Sequence, residues 1–170
     1  MMGVQDHKEA ASSQVQQLSG AVITVSDSRT EQTDESGKLL MELIEAAGFR
    51  VGAYRLIKNE KDLLQQTVLE LSRQVDFMIT TGGTGMSPRD LSIEACRPLF
   101  TKELEGFGDV FRLLSFQEIG SAAIMSRATG GSVGRAMLFC LPGSKAAVRL
   151  AAERLILPEI KHLIAQVRKA

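Results

Sequence analysis

The feature that most constrains the fold is the regular alternation of short apolar runs with longer segments of helical spacing. Residues 20 to 26 form a β-branched run with a polar end, which predicts a buried first strand. Apolar residues at helical spacing follow from Leu39 to Ala47, and Gly48 supplies a left-handed helix stop. Residues 49 to 57 predict a second strand, which is less apolar and therefore expected nearer an edge of the sheet.

The rest of the chain continues this alternation. In chain order we predict a helix capped by Asn59 with Asp62 and buried through Leu63, Leu64, Thr67, Val68 and Leu71, a strand from Val75 to Thr81, a helical segment led by Pro88, a loop from Glu103 to Asp109, a Phe- and Leu-rich helix, a short helix near Ile119 to Met125, strands Ala128–Val133 and Ala136–Leu141, and a helix from Ser144 to Leu157 that Pro158 interrupts. Crossover connections between parallel strands place helices on both faces of a sheet. The expected fold class is therefore α/β, a three-layer α/β/α sandwich with a mostly parallel sheet.

Length and composition favour one domain. The 170 residues are 44% hydrophobic, which is enough for one buried core and too little for two independent ones. Residues 1–19 are polar and mixed in charge, so we expect a flexible N-terminal extension followed by a domain over residues 20–170.

The charge balance excludes several kinds of partner. Twenty basic residues match twenty acidic ones, so we expect neither nucleic acid nor an anionic membrane as a partner. No apolar run approaches the roughly 20 residues that span a bilayer, and a cytoplasmic location is expected. Cys96 and Cys140 lie within separate apolar stretches, which predicts buried free thiols.

A glycine-rich loop follows the third predicted strand and is the strongest candidate for a binding site. Thr81, Gly82, Gly83, Thr84 and Gly85 form a turn whose backbone N–H groups can approach an anion closely. The loop lacks the Gly-Lys-Ser/Thr ending of a nucleotide P-loop and the spacing of a dinucleotide fingerprint. It predicts a phosphate cradle, and a simple tight connection remains the alternative.

Asp90 lies just beyond this loop, in the segment Ser87-Pro-Arg-Asp90. Magnesium prefers one or two carboxylates together with phosphate oxygens, so Asp90 is a candidate ligand for Mg²⁺. A helix cap is the alternative role for Asp90, and Arg89 could be solvated surface.

Two further polar loops follow predicted strands. Pro142, Gly143 and Ser144 precede a helix whose N-terminus would attract an anion, and a plain helix cap at Ser144 is the alternative. Ser26, Asp27 and Ser28 end the first strand, and they could line the same crevice or form a solvated turn. Ligands of such sheets bind beyond the carboxyl ends of the strands, where the strand order reverses.

Four ordered motifs carry a resemblance to a known family. The motifs are, in chain order, Thr80-Thr-Gly-Gly-Thr-Gly85, Pro88-Arg-Asp90, Glu105-Gly-Phe-Gly108 and Leu141-Pro-Gly143. Together they resemble the molybdopterin-binding domain of the MoaB/MogA family. The resemblance covers residues 20 to 165, and the segments 111–120 and 126–128 are closer to the MoaB branch.

The resemblance implies a function and an assembly. It implies a molybdopterin-binding domain that acts in molybdenum cofactor biosynthesis as a homotrimer or hexamer. Active members adenylylate the terminal phosphate of molybdopterin with Mg²⁺ and ATP, releasing pyrophosphate. By motif, residues 81 to 85 and Ser144 would hold phosphates, Asp90 would help to hold Mg²⁺, and Asp27 with Ser28 would line the pocket.

The chain departs from the family pattern at one position. Active members carry an acidic residue after the second strand, where this chain has Lys58-Asn59 followed by Glu60. An amide is a poorer magnesium ligand than a carboxylate, so Asn59 and Asp90 are the candidate catalytic residues that decide activity. The alternatives are an adenylyltransferase, a catalytically silent protein that binds molybdopterin or a precursor, and a general phosphometabolite-binding domain.

Overall fold

The computed structural model describes residues 17–169. The strands are β1 (Ser19–Val25), β2 (Arg50–Ile57), β3 (Phe77–Thr81), β4 (Lys102–Glu103), β5 (Thr129–Val133) and β6 (Ala136–Leu141). The α-helices are α1 (Glu35–Ala46), α2 (Lys61–Leu71), α3 (Ser92–Cys96), α4 (Glu105–Ile119), α5 (Lys145–Ala151) and α6 (Leu157–Val167). Short 3₁₀ helices cover Arg97–Leu99 and Gly120–Met125, and a π-helical turn covers Ala152–Ile156.

The six strands form one mixed sheet in the order β2-β1-β3-β6-β5-β4. The neighbours β2, β1, β3 and β6 are parallel, whereas β5 is antiparallel to both β6 and β4. The chain moves from β1 outward to β2 and then returns to the other side of β1 with β3. The strand order therefore reverses beside β1, which is where a parallel α/β sheet opens a ligand crevice.

Two hydrophobic clusters cover the two faces of the sheet. The first packs α1, α4, α5 and α6 through buried residues such as Leu40, Phe111 and Ile160. The second packs α2 and α3 through residues such as Val68 and Ile93. These two layers of helices on a central sheet confirm the three-layer α/β/α prediction, and β2 lies at an edge as expected.

The predicted capping box at Asn59 is wrong. Glu60 occupies the N-cap position of α2 and makes no side-chain capping bond. The side chain of Asn59 instead donates from Nδ2 to the backbone oxygen of Arg89. Leu63, expected in the core, is 37% exposed, so the buried face of α2 begins at Leu64.

The predicted loop from Glu103 to Asp109 is also wrong. Lys102 and Glu103 form the edge strand β4, and α4 begins at Glu105. Gly108, which falls within the predicted loop, lies in α4, and a Cβ there would lie 2.9 Å from the Ala128 oxygen. The glycine therefore allows α4 to pack closely against the start of β5.

The two prolines act differently from the prediction. No helix starts at Pro88, because residues 87 to 90 form a turn and α3 begins only at Ser92. Pro158 does not interrupt the closing helical segment, which continues through α6. A proline has no N–H and collides with the carbonyl four residues earlier, and the π-helical turn just before it accommodates that irregularity.

The remaining predictions concern the termini and the cysteines. Of the proposed extension, residues 1 to 16 lie outside the described residues, while Leu18 is buried and Ser19 begins β1. Cys96 and Cys140 are both free and buried, as predicted. Within residues 17–169, no helix is long and apolar enough to cross a membrane.

Candidate functional site

Four loops meet at the carboxyl edge of the parallel strands. They are residues 26–29 after β1, Lys58 and Asn59 after β2, residues 82–90 after β3, and residues 142–144 after β6. Because β2, β1, β3 and β6 are consecutive neighbours, these loops form one continuous rim. Ser26 ties the loop after β1 to the end of β2, since its N–H donates to the Ile57 oxygen at 2.9 Å.

The glycine loop requires glycine at two positions. Gly82 and Gly83 have φ values of +97° and +68°, in the left-handed region that L side chains rarely adopt. A Cβ on Gly82 would lie 2.3 Å from the Val25 oxygen, and one on Gly83 would lie 2.4 Å from Ser92 Oγ. The loop is thus held tightly against β1 and α3.

The carbonyl groups of this loop are bound by neighbouring residues. Ser92 Oγ donates to the Gly82 oxygen at 2.7 Å, and Ser92 N–H donates to the Gly83 oxygen at 2.9 Å. Arg127 Nη1 donates to the Gly85 oxygen at 2.8 Å. Among residues 17–169 no acceptor pairs with the N–H groups of residues 83 to 86, so the loop presents unpaired donors, as an anion cradle must.

Asp27, Asn59 and Arg89 form a polar cluster beside the loop. Asp27 Oδ1 accepts the Asn59 N–H at 3.0 Å, and Asp27 Oδ2 pairs with Arg89 Nη2 at 3.0 Å. Asn59 Nδ2 completes the cluster by donating to the Arg89 oxygen. The cluster therefore links the ends of β1 and β2 to the glycine loop, and the predicted residues Asp27 and Asn59 do come together.

The side-chain oxygen of Asn59 has no hydrogen-bond partner in the described structure although it is buried. It lies 3.0 Å from the position that a Cβ on Gly83 would take, so it faces the glycine loop. A buried acceptor without a donor is costly and calls for an explanation at a functional site. A bound cation or a donor on a ligand would satisfy it.

Asp90 makes a turn and also approaches the loop. Its Oδ2 accepts the Ser87 N–H at 3.0 Å within that turn. The alternative role as a helix cap is wrong, because Leu91 holds the N-cap position of α3. Asp90 Oδ2 also lies 2.6 Å from where a Cβ on Gly85 would be. The carboxylate is thus held against the glycine loop, with lone pairs remaining for a ligand.

A cavity of about 270 Å³ opens on the other side of the glycine loop. Its lining is rich in hydroxyl groups and includes one guanidinium: Thr24, Val25, Ser26, Arg29, Asp34, Ser36, Thr81, Gly82 and Gly143. Ser26 Oγ shapes the rim by accepting the N–H groups of Ser28 and Arg29 at 3.3 and 3.1 Å. Ser28 is exposed at this rim, whereas Thr84 of the glycine loop is buried.

Asp34 organises this cavity, a role that the sequence analysis missed. It is fully buried, and its Oδ1 accepts the Gly37 N–H at 2.9 Å. Its Oδ2 accepts the hydroxyl groups of Thr24 and Tyr54, each at 2.6 Å. Burial, together with the hydrogen bond and charge of Asp34, raises the pKa of Tyr54 well above its ordinary value. Asp34 also caps α1, which is a local contact, whereas its bonds to Thr24 on β1 and Tyr54 on β2 depend on the fold.

The loop after β6 closes the cavity through backbone oxygens. Thr81 Oγ1 donates to the Pro142 oxygen at 3.1 Å, and Ser36 Oγ donates to the Gly143 oxygen at 2.6 Å. Ser144 caps α5 by accepting the Ala147 N–H at 3.2 Å, which is the alternative role given to it above. Gly143 thus lines the cavity, while the hydroxyl of Ser144 is engaged in its own helix.

The remaining functional side chains missed by the sequence analysis are Arg127 and Glu94, which lie behind the loop. Their side chains form an ion pair. Although burial raises the pKa of Glu94, its hydrogen bonds to Arg127 and to backbone hold that pKa below its ordinary value. Within the described residues no group of three or more His, Cys, Asp or Glu side chains could hold a metal ion.

Comparisons with known proteins agree with this architecture. The family described as probable molybdopterin binding domain matches residues 21–162. Molybdenum cofactor biosynthesis protein B of Bacillus subtilis (strain 168) is 50% identical over 171 residues, covering 99% of each chain.

Two solved structures are similar in fold and sequence. A crystal structure of a molybdenum cofactor biosynthesis protein B has a TM-score of 0.88 and 46% identity, covering 91% of this chain and 98% of that one. The tungsten cofactor synthesizing protein MoaB from Pyrococcus furiosus has a TM-score of 0.82 and 35% identity, covering 91% and 99%. The chain therefore belongs to the molybdopterin-binding domain family of molybdenum cofactor biosynthesis proteins.

Proposed function

We propose that this protein binds molybdopterin by its terminal phosphate at the glycine loop and adenylylates that phosphate with Mg·ATP. The observation that carries the proposal is the loop itself. The carbonyls of Gly82, Gly83 and Gly85 accept hydrogen bonds from Ser92 and Arg127. The N–H groups of residues 83 to 86 have no acceptor in the described structure. Unpaired backbone donors at the strand-order reversal are a phosphate site by geometry and charge.

The proposed reaction needs alignment more than covalent help from the protein. An oxygen of the molybdopterin phosphate attacks the α-phosphorus of ATP, a new P–O–P bond forms, and the bond to the β-phosphate oxygen breaks with release of pyrophosphate. Such transfers depend mainly on positioning and on neutralising negative charge. Backbone amides of the glycine loop and the Arg29 guanidinium in the adjacent cavity provide these two functions.

The residues beside the loop fit a magnesium ion carried by phosphates. Asp90 retains lone pairs for a ligand, and the buried Asn59 oxygen has no partner among the described residues. Magnesium accepts one or two protein oxygens and completes its shell with phosphate oxygens and water. When bound there, it would polarise the phosphates and neutralise charge on the departing pyrophosphate.

A second candidate function is molybdopterin binding without adenylylation. Asn59 favours it, because a neutral amide replaces the carboxylate that active family members carry. Its Nδ2 is also engaged by the Arg89 oxygen, a bond that a carboxylate could not donate. In this candidate Asn59 holds the glycine loop in place of binding a metal.

The two candidates differ in turnover. We would incubate the native protein with molybdopterin, ATP and Mg²⁺ and follow pyrophosphate release, with Asn59→Asp in parallel and a chelator as control. Turnover by the native chain, lost with the chelator, is the expected result and shows that the amide is tolerated. Binding without turnover, rescued by Asn59→Asp, would establish the binding protein instead.

We also propose that copies of the chain associate through one apolar face, giving the trimer or hexamer that the family resemblance implies. Five large apolar side chains on α4 and the following 3₁₀ helix are between 55% and 83% exposed: Leu113, Phe116, Ile119, Ile124 and Met125. Several exposed large apolar side chains within one short segment favour an interaction surface. Sedimentation equilibrium of the native chain tests the assembly, and a monomer at micromolar concentration would contradict it.

A further inference from the structure

We propose that Arg127 is a positioning residue for the phosphate-binding loop, acting through the Gly85 carbonyl and held in place by Glu94. Arg127 lies between the 3₁₀ helix 120–125 and β5, remote in sequence from the loop that it contacts. The inference deepens the proposed phosphate site and rests on it. Arg127 has no part in the four loops that form the rim.

The geometry of the peptide bond fixes where the N–H groups of the loop point. All peptide bonds of the described residues are trans, so the carbonyl of Gly85 and the N–H of Met86 point in opposite directions. Arg127 Nη1 holds that carbonyl at 2.8 Å. The Met86 N–H therefore faces away from Arg127, and it has no acceptor within residues 17–169.

Ser92 acts on the two preceding peptides in the same way. Its hydroxyl and its N–H hold the oxygens of Gly82 and Gly83. These bonds orient the N–H groups of Gly83 and Thr84, again by the trans geometry. Ser92 belongs to α3, at the carboxyl side of the same loop, whereas Arg127 reaches the Gly85 carbonyl from a distant part of the chain.

Glu94 keeps the guanidinium in place. Its Oε1 accepts from Arg127 Nη2, while Nη1 of the same guanidinium donates to the Gly85 oxygen. The Arg127 side chain is 27% exposed, and its bond to the Gly85 oxygen is partly buried, whereas the Glu94 side chain is 48% exposed. A planar guanidinium can make both bonds at once with fixed geometry, which a lysine cannot.

Substitutions at Arg127 and Glu94 separate positioning from simple charge. Removing Arg127 also removes a positive charge, which alone would weaken anion binding. Glu94→Gln makes the site more positive, so a charge effect would tighten binding, whereas loss of positioning would weaken it. Arg73→Gln is the matched control, because exposed Arg73 lies in the turn before β3, at the opposite end of the sheet.

The first measurement is calorimetric titration of the native full-length chain and the variants with inorganic pyrophosphate. We expect Arg127→Met to lose roughly tenfold in affinity or more, as for a hydrogen bond from a charged group. Glu94→Gln should lose affinity as well, Arg127→Lys should recover only part of the loss, and Arg73→Gln should equal the native chain. Tighter pyrophosphate binding by Glu94→Gln, or native affinity in Arg127→Lys, would show that Arg127 acts only through its positive charge. Either result would overturn the inference.

A second measurement needs no ligand. The amide nitrogen resonance of Met86 should move in Arg127→Met, while that of Thr84, whose peptide Ser92 holds, should stay. A stationary Met86 signal, or shifts spread over the whole domain, would overturn the assignment. Native protein that binds no pyrophosphate would overturn the phosphate site and the role of Arg127 together, whereas native binding that Arg127→Met leaves unchanged would overturn the latter alone.

Discussion

Replacing Gly83 by alanine tests whether the glycine loop needs its backbone shape and its close packing. The residue has φ +68°, and a Cβ would lie 2.4 Å from Ser92 Oγ and 3.0 Å from Asn59 Oδ1. The left-handed conformation costs an L residue about 1 to 2 kcal/mol. Displacing Ser92 also breaks its bond to the Gly82 oxygen, which adds about 1 kcal/mol.

Gly134→Ala is the matched control. Gly134 has a similar φ of +59°, in the turn between β5 and β6, and a Cβ there would meet no atom within 4 Å. The alanine substitution there costs only the energy of the left-handed conformation, so we expect a loss of about 1 to 2 kcal/mol in the free energy of unfolding. Gly83→Ala should lose about 2 to 3 kcal/mol, the sum of both effects.

Urea unfolding of the native chain and both variants measures the stability difference, and pyrophosphate titration measures the site. Gly83→Ala should weaken pyrophosphate binding, since moving the Ser92 hydroxyl releases the Gly82 carbonyl, whereas Gly134→Ala should not. Equal stability losses in the two variants would show that the close contact with Ser92 carries no energy. Unchanged pyrophosphate affinity in Gly83→Ala would refute the proposed cradle.

Asp90→Asn should abolish Mg·ATP-dependent pyrophosphate release while the circular dichroism spectrum stays native, because the amide can still form a turn but is a poorer magnesium ligand; retained turnover would remove Asp90 from the metal site. The raised pKa of Tyr54 means that the fold favours its neutral form, so native stability should fall as pH rises above the ordinary value of 10.0. Tyr54→Phe should remove that part of the alkaline loss, and a variant with the same alkaline profile as the native chain would contradict the Asp34 contact. Phe116→Glu should shift the sedimentation equilibrium toward monomer, since it places a charge on the exposed apolar face of α4, and an unchanged mass would exclude Phe116 from the interface.

The layered fold could be predicted because the apolar periods of the chain are strong. Residues 20–25 and 136–141 are buried along their whole length, as their largely apolar character indicated. The errors occurred where a tertiary contact decided the outcome. Gly108 looked like a loop residue until its approach to the Ala128 oxygen was visible, and Pro158 looked like a helix end until the π-helical turn appeared.

In the candidate site, too, local motifs could be predicted from the sequence and tertiary contacts could not. Its glycine loop and Asp90 could be identified because glycine and carboxylate chemistry is local to their motifs. Arg127 and Asp34 could not, because each acts on residues of other elements: Gly85 for the first, Thr24 and Tyr54 for the second. A sequence shows which groups can donate or accept, whereas the fold decides which groups meet.

The central claim is that the glycine loop binds molybdopterin by its phosphate. The direct test is to titrate the native protein with molybdopterin and with dephosphorylated molybdopterin, and to repeat both titrations with Gly83→Ala. Removing the phosphate should cost the native protein at least tenfold in affinity, about 1.4 kcal/mol, and should cost the variant much less. Equal affinity of the native protein for both pterins would show that the loop makes no contact with the phosphate, and the proposed binding mode would then be wrong.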